Sequence, residues 1–305
     1  MTKKFDLQAF KKSLQAASVP YKKENYIQWD DALKEVSGLP GLPLGHITQI
    51  YGPSNGGKTT LALTLAAKAL QQNVLPIFII TEGKFMPERA ATMGVDVDAV
   101  LSVDVTYIEE IFDEIHKFLS AQSKGDIPKD ILFIVDSIGN TISRDSVRIA
   151  KDGNTEVGGA MMKTSKVIRE QMRVVSHRIN DTRKVNSPHF AGLVFINHSY
   201  KQPPAFPGGP TTDVPYGGDG IYYSSSLVIK VRKTRQLKAV KDGRDVSFGI
   251  AAKLAVEKNH INGVSNEGPF LITSNAIIPD DPAALKQYKE DNKDSWGNVK
   301  IDVEE

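Results

Sequence analysis

The eight residues Gly52-Pro53-Ser54-Asn55-Gly56-Gly57-Lys58-Thr59 constrain this chain more than any other feature. They follow a short segment at 46–51 that reads as a strand, and they lead into 58–71, which reads as a helix ending in polar residues. A glycine-rich turn between strand and helix, closed by lysine and a hydroxyl residue, is the arrangement that seats phosphates. Glycine lets the backbone wrap closely with its N–H groups turned inward. The start of the helix adds roughly half a positive charge. On this pattern Gly52, Pro53, Ser54, Asn55, Gly56, Gly57, Lys58, Thr59 and Thr60 form a nucleotide-binding loop. Lys58 is expected at the β- and γ-phosphates, and Thr59 on Mg²⁺.

A magnesium site also needs a carboxylate at the end of a neighbouring buried strand, and the apolar run 131–135 ends in Asp136. Alone, Asp136 would read as a cap on the next helix; beside the glycine-rich loop it reads as a metal-holding group. Glu82 stands just past the apolar run 74–80, at the carboxyl edge where ligands bind in parallel sheets. A carboxylate there can accept a proton from attacking water. Position alone leaves that role level with a solvated loop glutamate.

The runs 74–80, 131–135 and 193–197 are nearly continuous in apolar residues, as in strands covered on both faces. Helical patterns at 108–119 and 159–179 alternate with them, which predicts an α/β fold with a mostly parallel, doubly wound sheet. Segments 227–231 and 246–256 add an antiparallel β-hairpin around Asp242-Gly243. Three regions follow: an N-terminal helical appendage at 1–45, a core at 46–263 and a short C-terminal segment at 264–305. In the first, Phe10, Leu14 and Ala17 have the spacing of a short amphipathic helix. In the last, residues 280–305 hold eight acids against four lysines, an acidic tail. The absence of cysteine excludes disulfides, thiolate metal sites and thiol catalysis. Charge interrupts every apolar run in MTKKFDLQAFKKS, so no secretory signal is expected. No run is long enough to cross a bilayer, so a cytoplasmic protein without membrane contact is expected.

From Ser199 to about Gly218 runs a long, proline-rich stretch with neither helical nor strand pattern. Loops beyond about 12–15 residues are uncommon in compact domains and are usually functional or disordered. Tyr200, Lys201 and Phe206 within it combine cation and aromatic groups suited to phosphates and base faces. Between Lys230 and Arg244 seven basic residues face one acid, Asp242. Lys230, Arg232, Lys233 and Arg235 in that strip would bind phosphates with strong salt dependence, or simply solubilise an edge strand.

Gly41-Leu42-Pro43-Leu44-Gly45-His46-Ile47-Thr48-Gln49-Ile50-Tyr51-Gly52-Pro53, running into Gly57-Lys58-Thr59-Thr60, closely resembles the start of the nucleotide site in RecA recombinases. Glu82 with Met93-Gly94-Val95-Asp96, Asp136-Ser137, Phe195-Ile196-Asn197-His198, Gly217-Gly218-Asp219 and Lys258-Asn259 are similar to further blocks of that family, in the family order. The likeness spans roughly residues 39–262. It implies a RecA-like P-loop NTPase core that uses ATP and Mg²⁺, with Glu82 as the catalytic carboxylate. It also implies that His198 senses the γ-phosphate and signals to the loop after it. Histidine rather than glutamine at 198 makes the chain look closer to the phage UvsX-like recombinases than to bacterial RecA.

The same resemblance implies two DNA-binding loops. One is the stretch after His198. The other falls near 154–162 and brings in Gly158, Gly159, Met161 and Met162, with Arg169 and Arg173 on the following helix. The basic hairpin would hold duplex DNA. ATP would lie between subunits, reached by Lys258 and His260 of a neighbouring copy. A cation at ~4 Å is worth roughly 4 kcal/mol at an effective dielectric near 20; a histidine supplies it only when protonated. Tyr107 is a candidate adenine contact, and Tyr223 and the N-terminal helix are candidate subunit contacts.

The function so implied is a DNA-dependent ATPase, an ATP hydrolase that forms filaments on single-stranded DNA. It would pair that strand with homologous duplex DNA and promote strand exchange in recombination and repair. Loader and single-strand-binding proteins are candidate partners. A ring helicase or motor on the same core, a filament-forming regulator with little strand exchange, and a small-molecule kinase stay open.

Overall fold

In a computed structural model of the chain, the described residues are 6–8, 11–12, 19–83, 86–146, 157–204, 206, 208–241 and 244–292, without the side chains of 140, 157–162 and 239–241. The Phe10, Leu14, Ala17 spacing, the Asp242-Gly243 turn and the acidic end beyond 292 lie outside them.

The described residues build one ten-stranded sheet and a separate small ribbon. The ribbon pairs β1 (Tyr26–Gln28) with β2 (Gly41–Pro43), and α1 (Asp31–Ser37) lies between them in sequence. Then come β3 (Ile47–Gly52), α2 (Lys58–Gln71), β4 (Leu75–Ile80), α3 (Pro87–Thr92), β5 (Leu101–Asp104), α4 (Ile108–Lys124), β6 (Ile131–Asp136), α5 (Val157–Asp181) and β7 (Ala191–Gln202). The strands β3, β7, β6, β4 and β5 lie side by side in that order, all parallel.

Successive strand residues point to opposite faces, so each run feeds two cores. Phe78, Ile80, Leu132, Ile134, Val194 and Ile196 pack with α2. Ile77, Ile79, Ile131, Phe133, Leu193 and Phe195 pack on the other face with α4 and α5. This two-sided burial is why the strands read as unbroken apolar runs, and it produces the doubly wound sheet expected from them.

β8 (Thr212–Pro215) and α6 (Asp219–Ser224) follow, then the antiparallel half of the sheet. β9 (Leu227–Lys241) pairs parallel to β3 and antiparallel to β10 (Arg244–Asn259), forming a hairpin far longer than the segments the sequence suggests. β11 (Glu267–Thr273) and β12 (Ile277–Pro279) continue the same sheet outward. α7 (Pro282–Asp291) starts at Asp281, whose carboxylate accepts from the Ala284 amide at 2.8 Å, and it packs Leu285 and Tyr288 beside Phe248 and Leu271. Packing therefore does not pause at residue 263. Nor does it pause at 45, since Ile27, Trp29, Leu33, Leu42 and Leu44 join the α2 core.

The stretch after His198 departs from expectation. Ser199 to Gln202 prolong β7 and pair with β8, so the patternless loop is in fact a β-ribbon with its turn between 202 and 212. Pro203, Pro204 and Pro210 lie outside the paired residues, where no ladder hydrogen bond is required of them, and Pro215 stands at the end of the ladder opposite Ser199.

Candidate functional site

The glycine-rich loop joins β3 to α2 as its sequence demands. Gly57 has φ +89°, and a Cβ there would stand 2.0 Å from Ile272 Cδ1; at Gly52 it would stand 2.0 Å from the Val231 carbonyl. A larger residue at Gly52 would have to move the β9 backbone, and one at Gly57 would have to displace the end of the Ile272 side chain from a backbone conformation that already favours glycine. Lys58 is buried, and its ammonium donates to the carbonyls of Gly52 at 3.0 Å and Pro53 at 2.8 Å. Burial pulls its pKa below the ordinary lysine value, against the pull of Asp136 and Glu82.

The Thr59 hydroxyl donates to Asp136 Oδ2 at 2.8 Å. Burial pushes the Asp136 carboxyl above its usual range; the Thr59 hydrogen bond opposes this and Glu82 adds to it. A hydroxyl and a partly buried carboxylate at the floor of a phosphate loop form a hard-oxygen pair that fits Mg²⁺. A cation there would relieve the cost of keeping Asp136 charged.

The cleft above this floor has a volume of about 590 Å³, within the range of ~300–1,000 Å³ common for small-molecule sites. Its outer wall comes from the long hairpin and its neighbour: Gln236, Phe248, Ile250 and Ile272 line it, and Met86 and Arg89 close the side. Arg89 is fixed by donating to the Ser274 carbonyl at 2.6 Å and to Thr60 Oγ1 at 3.2 Å. Sequence reasoning missed these residues, because nothing local to 236–250 shows that the hairpin folds over the loop.

Tyr107 does not line this cleft. It caps α4, where Glu110 reaches back to its amide at 3.1 Å, and the Arg144 guanidinium lies 5.5 Å from its ring. The expected adenine contact is therefore not among the groups that this cleft brings together.

Glu82 is oriented from two sides. Its Oε1 accepts from Ser137 Oγ at 2.7 Å and lies 3.3 Å from His198 Nε2. The other ring nitrogen of His198 lies 3.5 Å from Ser54 Oγ in the glycine-rich loop. One imidazole thus stands between the phosphate loop and the carboxylate. The residues around it tie the same strand to the β7–β8 ribbon: Asn197 Nδ2 donates to the Tyr216 carbonyl at 2.8 Å, and the Tyr216 amide donates to the His198 carbonyl at 3.0 Å. The Tyr216 ring lies 5.0 Å from that of Tyr200. Tyr216 carried no sequence signal beyond its place before Gly217-Gly218.

The remaining candidates are spread over several surfaces. Tyr200, Lys201 and Phe206 are exposed on the ribbon, and Arg169 and Arg173 on α5. Gly158, Gly159, Met161 and Met162 fall in the first turns of α5, and their side chains are outside the described set. Arg232 and Lys233 are exposed on β9, and Arg235 lies 3.3 Å from Asp280. Lys230 differs: its side chain is 18% exposed and sits between Asp213 at 3.7 Å and Glu257 at 3.8 Å. Lys258 and His260 do not line the cleft of their own chain. Lys258 pairs in register with Val228, level with Gln49 and short of the phosphate end of β3. Its ammonium donates to the carbonyls of Tyr222 at 2.8 Å and Tyr223 at 3.0 Å, and burial lowers its pKa.

The family model for the RecA N-terminal domain matches residues 21–277. Among curated proteins, those named Protein RecA from Streptococcus pyogenes serotypes M49 (strain NZ131), M5 (strain Manfredo) and M1 are each 29% identical over 230 residues. The match covers 75% of this chain and 56% of each relative's length. Among the described residues, no helix is long and apolar enough to cross a membrane.

Proposed function

The chain belongs to the RecA family, and from that premise we propose that it is a DNA-dependent ATPase and recombination protein that assembles on single-stranded DNA when ATP and Mg²⁺ are bound. The observation that carries this reading is the position of His198. Through Ser54 and Glu82 it adjoins the phosphate loop and the carboxylate; through Asn197 and Tyr216 its strand continues into the ribbon bearing Tyr200 and Lys201. A nucleotide state felt at His198 has a short, hydrogen-bonded route to an exposed face of aromatic and cationic groups.

Within the site, Lys58 would counter phosphate charge, and Glu82, steadied by Ser137, would accept a proton from attacking water. Thr59 and Asp136 would hold Mg²⁺, which supplies charge stabilisation at the phosphates. Lys258 and His260 do not line their own cleft, so they fit service to the cleft of an adjacent copy in a filament. Tyr223, 73% exposed beside Lys258, fits the same interface. Homologous duplex DNA as second partner, strand exchange, assistance by loader and single-strand-binding proteins, and a cytoplasmic site of action belong to the same proposal. So does the likeness to the phage branch, which His198 carries.

Electron microscopy of the protein with long single-stranded DNA tests the reading, in the presence of Mg²⁺ and either ATP analogue or ADP. Continuous filaments with the analogue and sparse ones with ADP are the expected result. Nucleotide-independent coating, or no binding at all, would overturn it.

A further inference from the structure

Lys201 lies in the ribbon after His198, whereas Lys230 belongs to the basic hairpin, and by sequence they serve different surfaces. The fold brings them to one carboxylate. Asp213 on β8 takes Lys201 Nζ on Oδ1 at 2.8 Å and lies 3.7 Å from Lys230 Nζ through Oδ2. The Lys201 side chain is 69% exposed, while Asp213 is only 12% exposed. A long, solvated cation is therefore held down by a partly buried acid. The Lys201 hydrogen bond keeps the Asp213 carboxyl below its usual range. Behind Lys230 stands Glu257 at 3.8 Å, itself held by the Tyr51 hydroxyl at 2.5 Å, one residue before the phosphate loop.

We propose that Lys201 and Lys230 form a single phosphate-binding subsite for a nucleic-acid strand, with Asp213 holding the phosphate's place until the strand arrives. This rests on the DNA-binding reading above and deepens it. The match is one of shape as well as charge. A phosphodiester offers two non-bridging anionic oxygens, and here each of two carboxylate oxygens faces one lysine. An arriving phosphate must displace Asp213 from Lys201, so the acid lowers affinity and sets a threshold that weak or isolated anions do not pass. Lys230 stays anchored to Glu257 and would remain in place through the exchange.

Binding of labelled oligo-dT by fluorescence anisotropy, across a series of salt concentrations with nucleotide present, tests this with wild type, Asp213→Asn, Lys201→Gln and Asp213→Asn/Lys201→Gln. Asp213→Asn should tighten binding by about fivefold, the size of one charge removed at ~4 Å in a water-like dielectric. It should also steepen the salt dependence by up to about 0.7 in log–log slope. The double variant should bind no better than Lys201→Gln. Equal or weaker binding by a stably folded Asp213→Asn would overturn the subsite and leave Asp213 as a brace for the ribbon. If Asp213→Asn lowers the melting temperature, Lys201→Gln and Lys230→Gln decide. Each should weaken binding and flatten the slope, and unchanged binding in both overturns the proposal. Absence of salt-dependent binding in wild type would instead sink the DNA-binding reading itself.

Discussion

Glu82 keeps its orientation through Ser137 whether or not it can take a proton, which makes the isosteric amide an informative replacement. Glu82→Gln should lower ATP turnover by ~10²–10⁴-fold, the usual worth of a positioned general base, while nucleotide affinity changes little. Steady-state hydrolysis together with fluorescent-nucleotide titration separates the two. A second residue-scale expectation concerns His46 at the start of β3. Its imidazole contacts Ser226 Oγ at 3.0 Å and Glu24 at 3.2 Å, and Arg183 pairs with the same Glu24. Burial lowers the His46 pKa, Arg183 lowers it further, and Glu24 only partly offsets them. A histidine whose folded pKa is depressed contributes stability above the unfolded value near 6.5, and that contribution is lost as pH falls below it. Urea midpoints should drop between about pH 7.5 and about pH 5.5, and His46→Gln should flatten that part of the profile.

At the scale of elements, the β7–β8 ribbon is the piece whose attachment matters most. Asn197→Ala removes the side-chain bond to the Tyr216 carbonyl but leaves Ser54, His198 and Glu82 in place. It should cost DNA stimulation of ATPase activity more than basal activity, read as the ratio of rates with and without DNA. The ribbon also marks where sequence reasoning stops. Strands covered on both faces announce themselves because burial favours unbroken apolar runs, as in the five buried residues that precede Asp136 in Ile131–Asp136. The phosphate loop announces itself because Gly52 abuts the Val231 carbonyl and Gly57 takes a positive φ, both of which call for glycine. Ser199 to Gln202 do not, since prolines and polar residues hide a pairing made only by the ladder to Thr212–Pro215. The charge of Leu227–Lys241 likewise masked a fifteen-residue strand as a basic strip. The cleft wall from Phe248 and Ile272 depends on strands distant in sequence meeting the loop, which no local pattern encodes.

At the scale of the whole molecule, the groups proposed to serve ATP do not all meet in one place. Lys58, Thr59, Glu82, Asp136 and His198 converge on one cleft, and Lys258 and His260 lie off it. If adjacent copies complete each other's sites, Lys58→Ala and Lys258→Ala should each be nearly inactive alone, yet regain measurable hydrolysis when mixed. Additive, near-zero activity of the mixture would place each site within a single chain. The most direct test of the central claim is ATP hydrolysis with and without long single-stranded DNA, using short oligonucleotides and Lys58→Ala as controls. The expected result is strong stimulation that grows with strand length and vanishes in Lys58→Ala. Hydrolysis that proceeds equally well without DNA would contradict the claim and favour a motor or kinase on the same core.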